Sequence, residues 1–102
     1  MRRARVLVNH KDAGILEERE EGKFRFQYHL DYAGAPVSLT MPVNKRIYDF
    51  DVFPPFFEGL LPEGPMLEAL LRKKKIDRND YFSQLITVGM DVIGAVTIEE
   101  IT

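Results

Sequence analysis

Residues 23–30, Lys-Phe-Arg-Phe-Gln-Tyr-His-Leu, alternate a charged or polar side chain with an apolar one at every step. Successive side chains of an extended chain leave opposite faces, so the pattern puts Phe24, Phe26, Tyr28 and Leu30 on one side and the polar partners on the other. Period two over eight residues excludes a helix face and demands a strand buried on one side only. Such a strand needs neighbours in a sheet and a layer to cover it.

The residues before it supply the neighbours. Residues 4–9 are rich in β-branched side chains, and Lys11-Asp12-Ala13-Gly14 has turn chemistry, with Gly14 expected at positive φ. A second strand over residues 14–20 and a turn at Glu21-Gly22 follow. The charges of residues 17–21 fit a solvated hairpin end.

The cover comes from the second half. Residues 31–36 read as a loop, residues 37–41 as a short strand stopped by Pro42, and residues 43–51 carry no regular pattern. Pro54-Pro55 halts any strand, yet proline is accepted at the first helical position, where its missing N–H would be unpaired anyway. This predicts a short helix over residues 55–60, closed by Leu61-Pro62-Glu63-Gly64. A second helix is expected over residues 65–74. Met66, Leu67, Leu70 and Leu71 recur at helical spacing, Glu68 lies near the start, and Arg72, Lys73, Lys74 and Lys75 crowd the end, as the helix dipole favours. Asn79 or Asp80 caps a third helix over residues 81–88, ending at Gly89. After a turn over residues 89–94, residues 95–98 return as a strand with Glu99 and Glu100 trailing. The expected fold is one α+β domain over residues 1–102, a small antiparallel sheet with three short helices.

Composition narrows the function. The chain has 102 residues, 45% of them hydrophobic, which suits one core and not a core plus a separate catalytic domain. Fourteen Lys and Arg against sixteen Asp and Glu give a formal charge of −2, so the chain lacks the basic field of a direct nucleic-acid binder. Cysteine is absent, which removes disulfides, thiolate nucleophiles and cysteine metal sites. Arg2, Arg3 and Arg5 precede only Val6-Leu7-Val8 before the polar Asn9-His10-Lys11-Asp12, unlike a signal peptide, and no stretch approaches the ~20 apolar residues of a membrane span. A cytoplasmic protein with no membrane partner is the expectation.

Catalytic patterns are lacking. His10 and His29 have no spaced ligand partners, and they read as a turn residue and a sheet-surface residue. Ser38 and Ser83 lie in no nucleophile elbow. Gly89 to Gly94 has phosphate-loop spacing, but Ala95-Val96 follows where lysine and a hydroxyl residue would be required. Glu63 suits a turn and Glu68 a helix start better than acid–base work. No catalytic residue, metal or cofactor is expected.

One segment carries more apolar mass than a short, proline-broken stretch needs for itself: Phe50, Phe53, Phe56 and Phe57 with Leu60 and Leu61. Either all of it packs on the sheet, or one edge faces a partner, with Pro62, Glu63, Gly64, Pro65 and Met66 as rim. Arg72 to Lys75 reads as a solvated helix end or as an electrostatic rim for an acidic surface.

Phe56-Phe57-Glu58-Gly59-Leu60-Leu61-Pro62-Glu63-Gly64 resembles the F-x-x-L-L-P-E-G signature of the N-terminal subdomain of HipA-type toxin kinases. Ile76-Asp77-Arg78-Asn79-Asp80-Tyr81-Phe82, Leu85, Val88-Gly89-Met90-Asp91 and Ile93-Gly94-Ala95-Val96 continue the resemblance in order. In that family the subdomain precedes a Ser/Thr kinase core, and the toxin pairs with a HipB-type helix-turn-helix antitoxin. This sequence stops at Thr102, where the core would begin, and is either a fragment or a free-standing version; the free-standing reading resembles HipS, the small antitoxin of the HipBST systems, whose kinase is the separate HipT chain. The resemblance implies a non-enzymatic chain that binds and inhibits a HipT-like kinase at its ATP-site region, and reaches a HipB-like protein only through the complex. The contact residues it implies are Phe56, Phe57, Leu60, Leu61, Pro62, Glu63, Gly64, Pro65 and Met66. It also leaves two alternatives, a required subunit of a split kinase and a tether to the DNA-binding protein. The sequence departs from the family at Pro65-Met66, where a bulky aromatic often follows the glycine.

Overall fold

A computed structural model describes residues 2–20, 22–91 and 94–101. Glu21, half of the predicted Glu21-Gly22 turn, lies outside the described residues, as do Val92 and Ile93 of the predicted 89–94 turn. The elements run β1 (Arg3–Val8), β2 (Lys11–Glu20), β3 (Lys23–Tyr28), β4 (Ile47–Phe50), α1 (Pro55–Glu58), α2 (Gly64–Lys74), α3 (Tyr81–Val88) and β5 (Val96–Ile101). The strands form one antiparallel sheet in the order β4-β3-β2-β1-β5. The expected α+β fold, with a small antiparallel sheet and three short helices, is the one observed.

The alternation of β3 does what it dictates. Phe24, Phe26 and Tyr28 are buried on the helix-covered face. There Phe24 meets Phe53 edge-on at 5.1 Å and stacks with Phe82 at 6.2 Å, while Phe26 contacts Phe57 at 6.0 Å. Leu16, Val6 and Ile98 extend this core along the sheet, and Leu85 of α3 covers it. The opposite face is a set of charged rows. Ile101, Arg3, Glu17, Arg25 and Asp49 align across all five strands. Arg25 donates to both oxygens of Asp49, at 2.7 and 3.2 Å, and those hydrogen bonds hold the Asp49 carboxyl below its ordinary range. Arg5 likewise joins Asp12 and Glu99, so the cations of this face are largely matched by neighbouring acids.

Five expectations need correction. The first hairpin turns at Asn9-His10, both at positive φ (51° and 69°), as a tight two-residue turn requires, and not at residues 11–14. Gly14 lies inside β2, beside the register shift between Val6 and Leu7, where a Cβ would stand 2.3 Å from the Gln27 carbonyl oxygen. Its missing side chain therefore admits the neighbouring backbone and serves no turn. Leu30 is 83% exposed, because β3 ends at Tyr28 and the chain turns through Tyr32 N–H to His29 C=O. Residues 37–41 form no strand. The Tyr28 hydroxyl takes their backbone groups instead, accepting from Val37 N–H at 2.9 Å and donating to Met41 C=O at 2.5 Å, and only the Ser38–Met41 bridge remains. Burial, the largest influence, raises the pKa of that hydroxyl. Finally, unassigned residues 47–50 are the edge strand β4, and β5 extends to Ile101, so Glu99 and Glu100 are strand residues.

Candidate functional site

α1 starts at Pro55 behind Pro54 and turns Phe57 into the core, where it is fully buried. Phe56 packs edge-on against it at 5.2 Å and stays half-buried. Leu60 and Leu61 N–H groups close the turn by donating to Phe57 and Glu58 carbonyls, at 3.1 Å each, and both side chains are half-buried against the core. Pro62 ends this run. Glu63 flanks α2 with an extended backbone but makes no side-chain cap, and Gly64, at φ 58°, turns the chain into the helix. Glu63, Gly64, Pro65 and Met66 are exposed, Met66 by 73%.

α2 is unlike the other elements. None of its eleven residues is buried, and its leucines are absent from the side chains packed on the core. Met66, Ala69, Leu70 and Lys73 fall at i, i+3, i+4 and i+7, a single helical stripe. With Gly59, Leu60 and Pro62 from the α1 exit and Val88 and Asp91 from the end of α3, this stripe lines an open groove of about 540 Å³. The predicted site residues thus separate: Leu60, Pro62 and Met66 line the groove, Leu61, Glu63, Gly64 and Pro65 lie at its turn, and Phe57 is core. Ala69, Leu70 and Val88 were not among the predicted contacts. The Met66-to-Lys73 spacing was their available signal for α2, whereas Val88 joins through tertiary packing.

The predicted basic rim continues from this stripe. Arg72, Lys73, Lys74 and Lys75 are exposed, and none forms an ion pair among the described residues. The helix stops at Lys75, which takes the left-handed conformation at φ 55° and donates its N–H to Leu71 C=O. Glu68 is engaged elsewhere, accepting from Arg78 at 2.7 Å.

A larger cleft, about 820 Å³, runs beside Arg2, Phe24, Phe53, Tyr81 and Asp80. Its one cation, Arg2, is already engaged, while Asp51 and Asp77 also line the cleft. Arg2 donates two hydrogen bonds to Glu18 and reaches Asp80 at 2.9 Å while lying over the Phe82 ring. Asp80 is the predicted cap of α3, accepting from Ser83 N–H at 3.1 Å. Burial pushes the Asp80 carboxyl up, but hydrogen bonds from Ser83 and Arg2 outweigh it, and the net pKa is lowered.

His10 lies in the first turn, and His29 shares a hydrogen bond with Asp12 at 2.9 Å. Among the described residues no three His, Asp or Glu side chains are placed to hold a metal. No helix among those residues is long and apolar enough to cross a membrane.

The sheet under short helices, with its open apolar groove, defines a small α+β module. The family model described as "HipA N-terminal domain" matches residues 4–99, and the chain belongs to that family. An uncharacterized protein of Haemophilus influenzae is 34% identical over 100 residues, covering 98% of this chain and 93% of that protein. A protein of Sinorhizobium fredii named "Putative kinase Y4dM" is 37% identical over 68 residues, which is 67% of this chain but 15% of that longer protein. A solved structure, "N-terminal domain of HipA toxin", superposes with a TM-score of 0.78 at 28% identity, covering all of this chain and 94% of that one. The family therefore places the module in a toxin–antitoxin-related setting.

Proposed function

We propose that this chain is an antitoxin, a non-catalytic module that binds a HipT-like Ser/Thr kinase toxin and holds its ATP-site region in an unproductive arrangement. The observation that carries the reading is α2, a helix with no fully buried residue, whose apolar stripe lines an open groove among the described residues. An isolated helix of this length is marginal in water, so a partner that buries the stripe gains apolar area and fixes the helix together. The "Putative kinase Y4dM" match supports the kinase as that partner, because there a segment like this one belongs to a much longer chain. Leu60, Leu61, Pro62, Glu63, Gly64, Pro65 and Met66 form the contact surface, with Phe56 and Phe57 supporting it from beneath. A HipB-like DNA-binding protein joins through the kinase. Inhibition of this kind is a shift in the kinase's population of conformations and needs no reactive group in the module.

The test is phosphotransfer by the cognate kinase with and without an equimolar amount of the chain, followed by co-elution. Loss of phosphotransfer with a stable complex is expected. A gain in phosphotransfer would make the chain a subunit of a split kinase, and co-elution with unchanged activity would make it a tether. Leu61→Asp combined with Met66→Asp should abolish co-elution while the circular dichroism spectrum stays that of the parent.

A further inference from the structure

Resting on the kinase-binding reading, we propose that the groove beside α2 receives an amphipathic helix of acidic character from the partner. Its apolar anchors would enter between the α2 stripe and Leu60 and Val88, with a carboxylate over Lys73, which lines the groove, and others within reach of the adjoining Arg72, Lys74 and Lys75 at the helix end. The dimensions suit this occupant. Met66 to Lys73 spans seven residues, roughly 10 Å at the helical rise, or two turns of an opposing helix with anchors at i, i+3 and i+7. A helix is favoured over an extended segment because the groove is walled by α2 and by the turns that follow α1 and α3, and none of its lining residues belongs to a strand. They offer no strand edge, so an extended peptide would bury unpaired N–H and C=O groups there. Charge selects the acidic class. Residues 64–75 hold four cations and one carboxylate, Glu68, which Arg78 already engages, while the chain as a whole is at −2. Asp91 is the one acid lining the groove, so the occupant should be neutral or basic where it passes that residue. The outer sheet face also carries arginines, but among the described residues Arg5 and Arg25 are answered there by Asp12, Glu99 and Asp49.

The test titrates the isotope-labelled full chain with two 14-residue helix-forming peptides. Both carry leucines at i, i+3 and i+7; one has flanking glutamates and the other lysines at the same positions. The glutamate peptide should shift the Met66, Leu70 and Val88 methyl signals and bind at least tenfold more tightly than the lysine peptide. Replacing Arg72, Lys73, Lys74 and Lys75 with glutamine, which keeps helix propensity, should remove that tenfold preference and weaken retention of the kinase by a similar factor. Equal binding of the two peptides, shifts that map elsewhere, no binding, or stronger shifts at these residues from a DNA duplex would each overturn the proposal. Kinase retained equally by the parent and the glutamine variant overturns the acidic helix alone. Kinase retained by neither overturns the antitoxin reading with it.

Discussion

The two halves of the molecule solve opposite problems. In the sheet, every strand from β1 to β3 sends alternate side chains into a core shared with α1 and α3, and the outward side chains form rows in which arginines face acids. In α2, none of the eleven residues is fully buried, and the cations of the last turn form no ion pair among the described residues. Both stretches have patterned sequences, and pattern alone does not say which apolar face will find a cover. The difference teaches that a module can hold its fold in one region and keep its binding capacity in another, with Phe57 beneath and Met66 above as the seam between them.

Truncation should expose this division most sharply. Phe57→Ala removes a fully buried ring in contact with Phe26 and Phe56, and a loss of roughly 3–5 kcal/mol is expected in urea unfolding. Asp80→Ala removes the α3 cap and a ligand of Arg2 and should cost about 1–2 kcal/mol. This effect has a sign in pH. Because the folded-state pKa of Asp80 is lowered, its contribution is full above the ordinary aspartate range and is lost as pH falls through the depressed value. Unfolding curves from neutral to acidic pH should therefore converge for parent and Asp80→Asn. Lys75→Gly relieves a left-handed residue at the α2 end and should add about 1 kcal/mol. Met66→Asp should change stability by less than about 0.5 kcal/mol, as expected for an exposed site. A loss as large as that of Phe57→Ala would break the division, since Met66 would then belong to the core.

Helix starts were legible because local chemistry fixes them. Pro55, Gly64 and the Asp80 cap start the helices within a residue of where the sequence puts them, whereas α1 ends at Glu58, two residues before the expected Leu60, because Leu60 and Leu61 close a turn instead. The alternation of β3 likewise named three core aromatics. Its fourth member, Leu30, was misplaced because where a strand stops depends on its neighbour: β4 pairs only as far as Gln27. β4 itself was invisible. Four residues at a sheet edge carry too little pattern, and its register depends on partners 20 or more residues away, such as Arg25 for Asp49. The first turn was misread because Gly14 is the usual marker of positive φ, whereas here Asn9 and His10 adopt it and Gly14 answers a close backbone approach. At the site, the leucine and proline motif was readable as a surface, but Val88 and Asp91 reach the groove only through the packing of α3. Gly89 explains how that packing is possible, since a Cβ there would lie 2.3 Å from the Ile98 carbonyl oxygen.

The strand order has a temporal consequence. Of the five strands β1 is made before the others, yet one of its two edges is completed by β5, the last of the five, with Arg3 opposite Ile101. The hairpins of residues 3–28 can form while the ribosome is still at work, but the outer edge of β1 stays open until residues 96–101 have emerged. At roughly 5–20 residues per second, that leaves several seconds in which a nascent sheet offers an unpaired edge. The same pairing brings residues 3 and 101 side by side. A short linker from residue 101 to residue 3, with new ends opened in the exposed turn at Asn9-His10, should therefore give a permuted chain that closes the same sheet in a different order of synthesis.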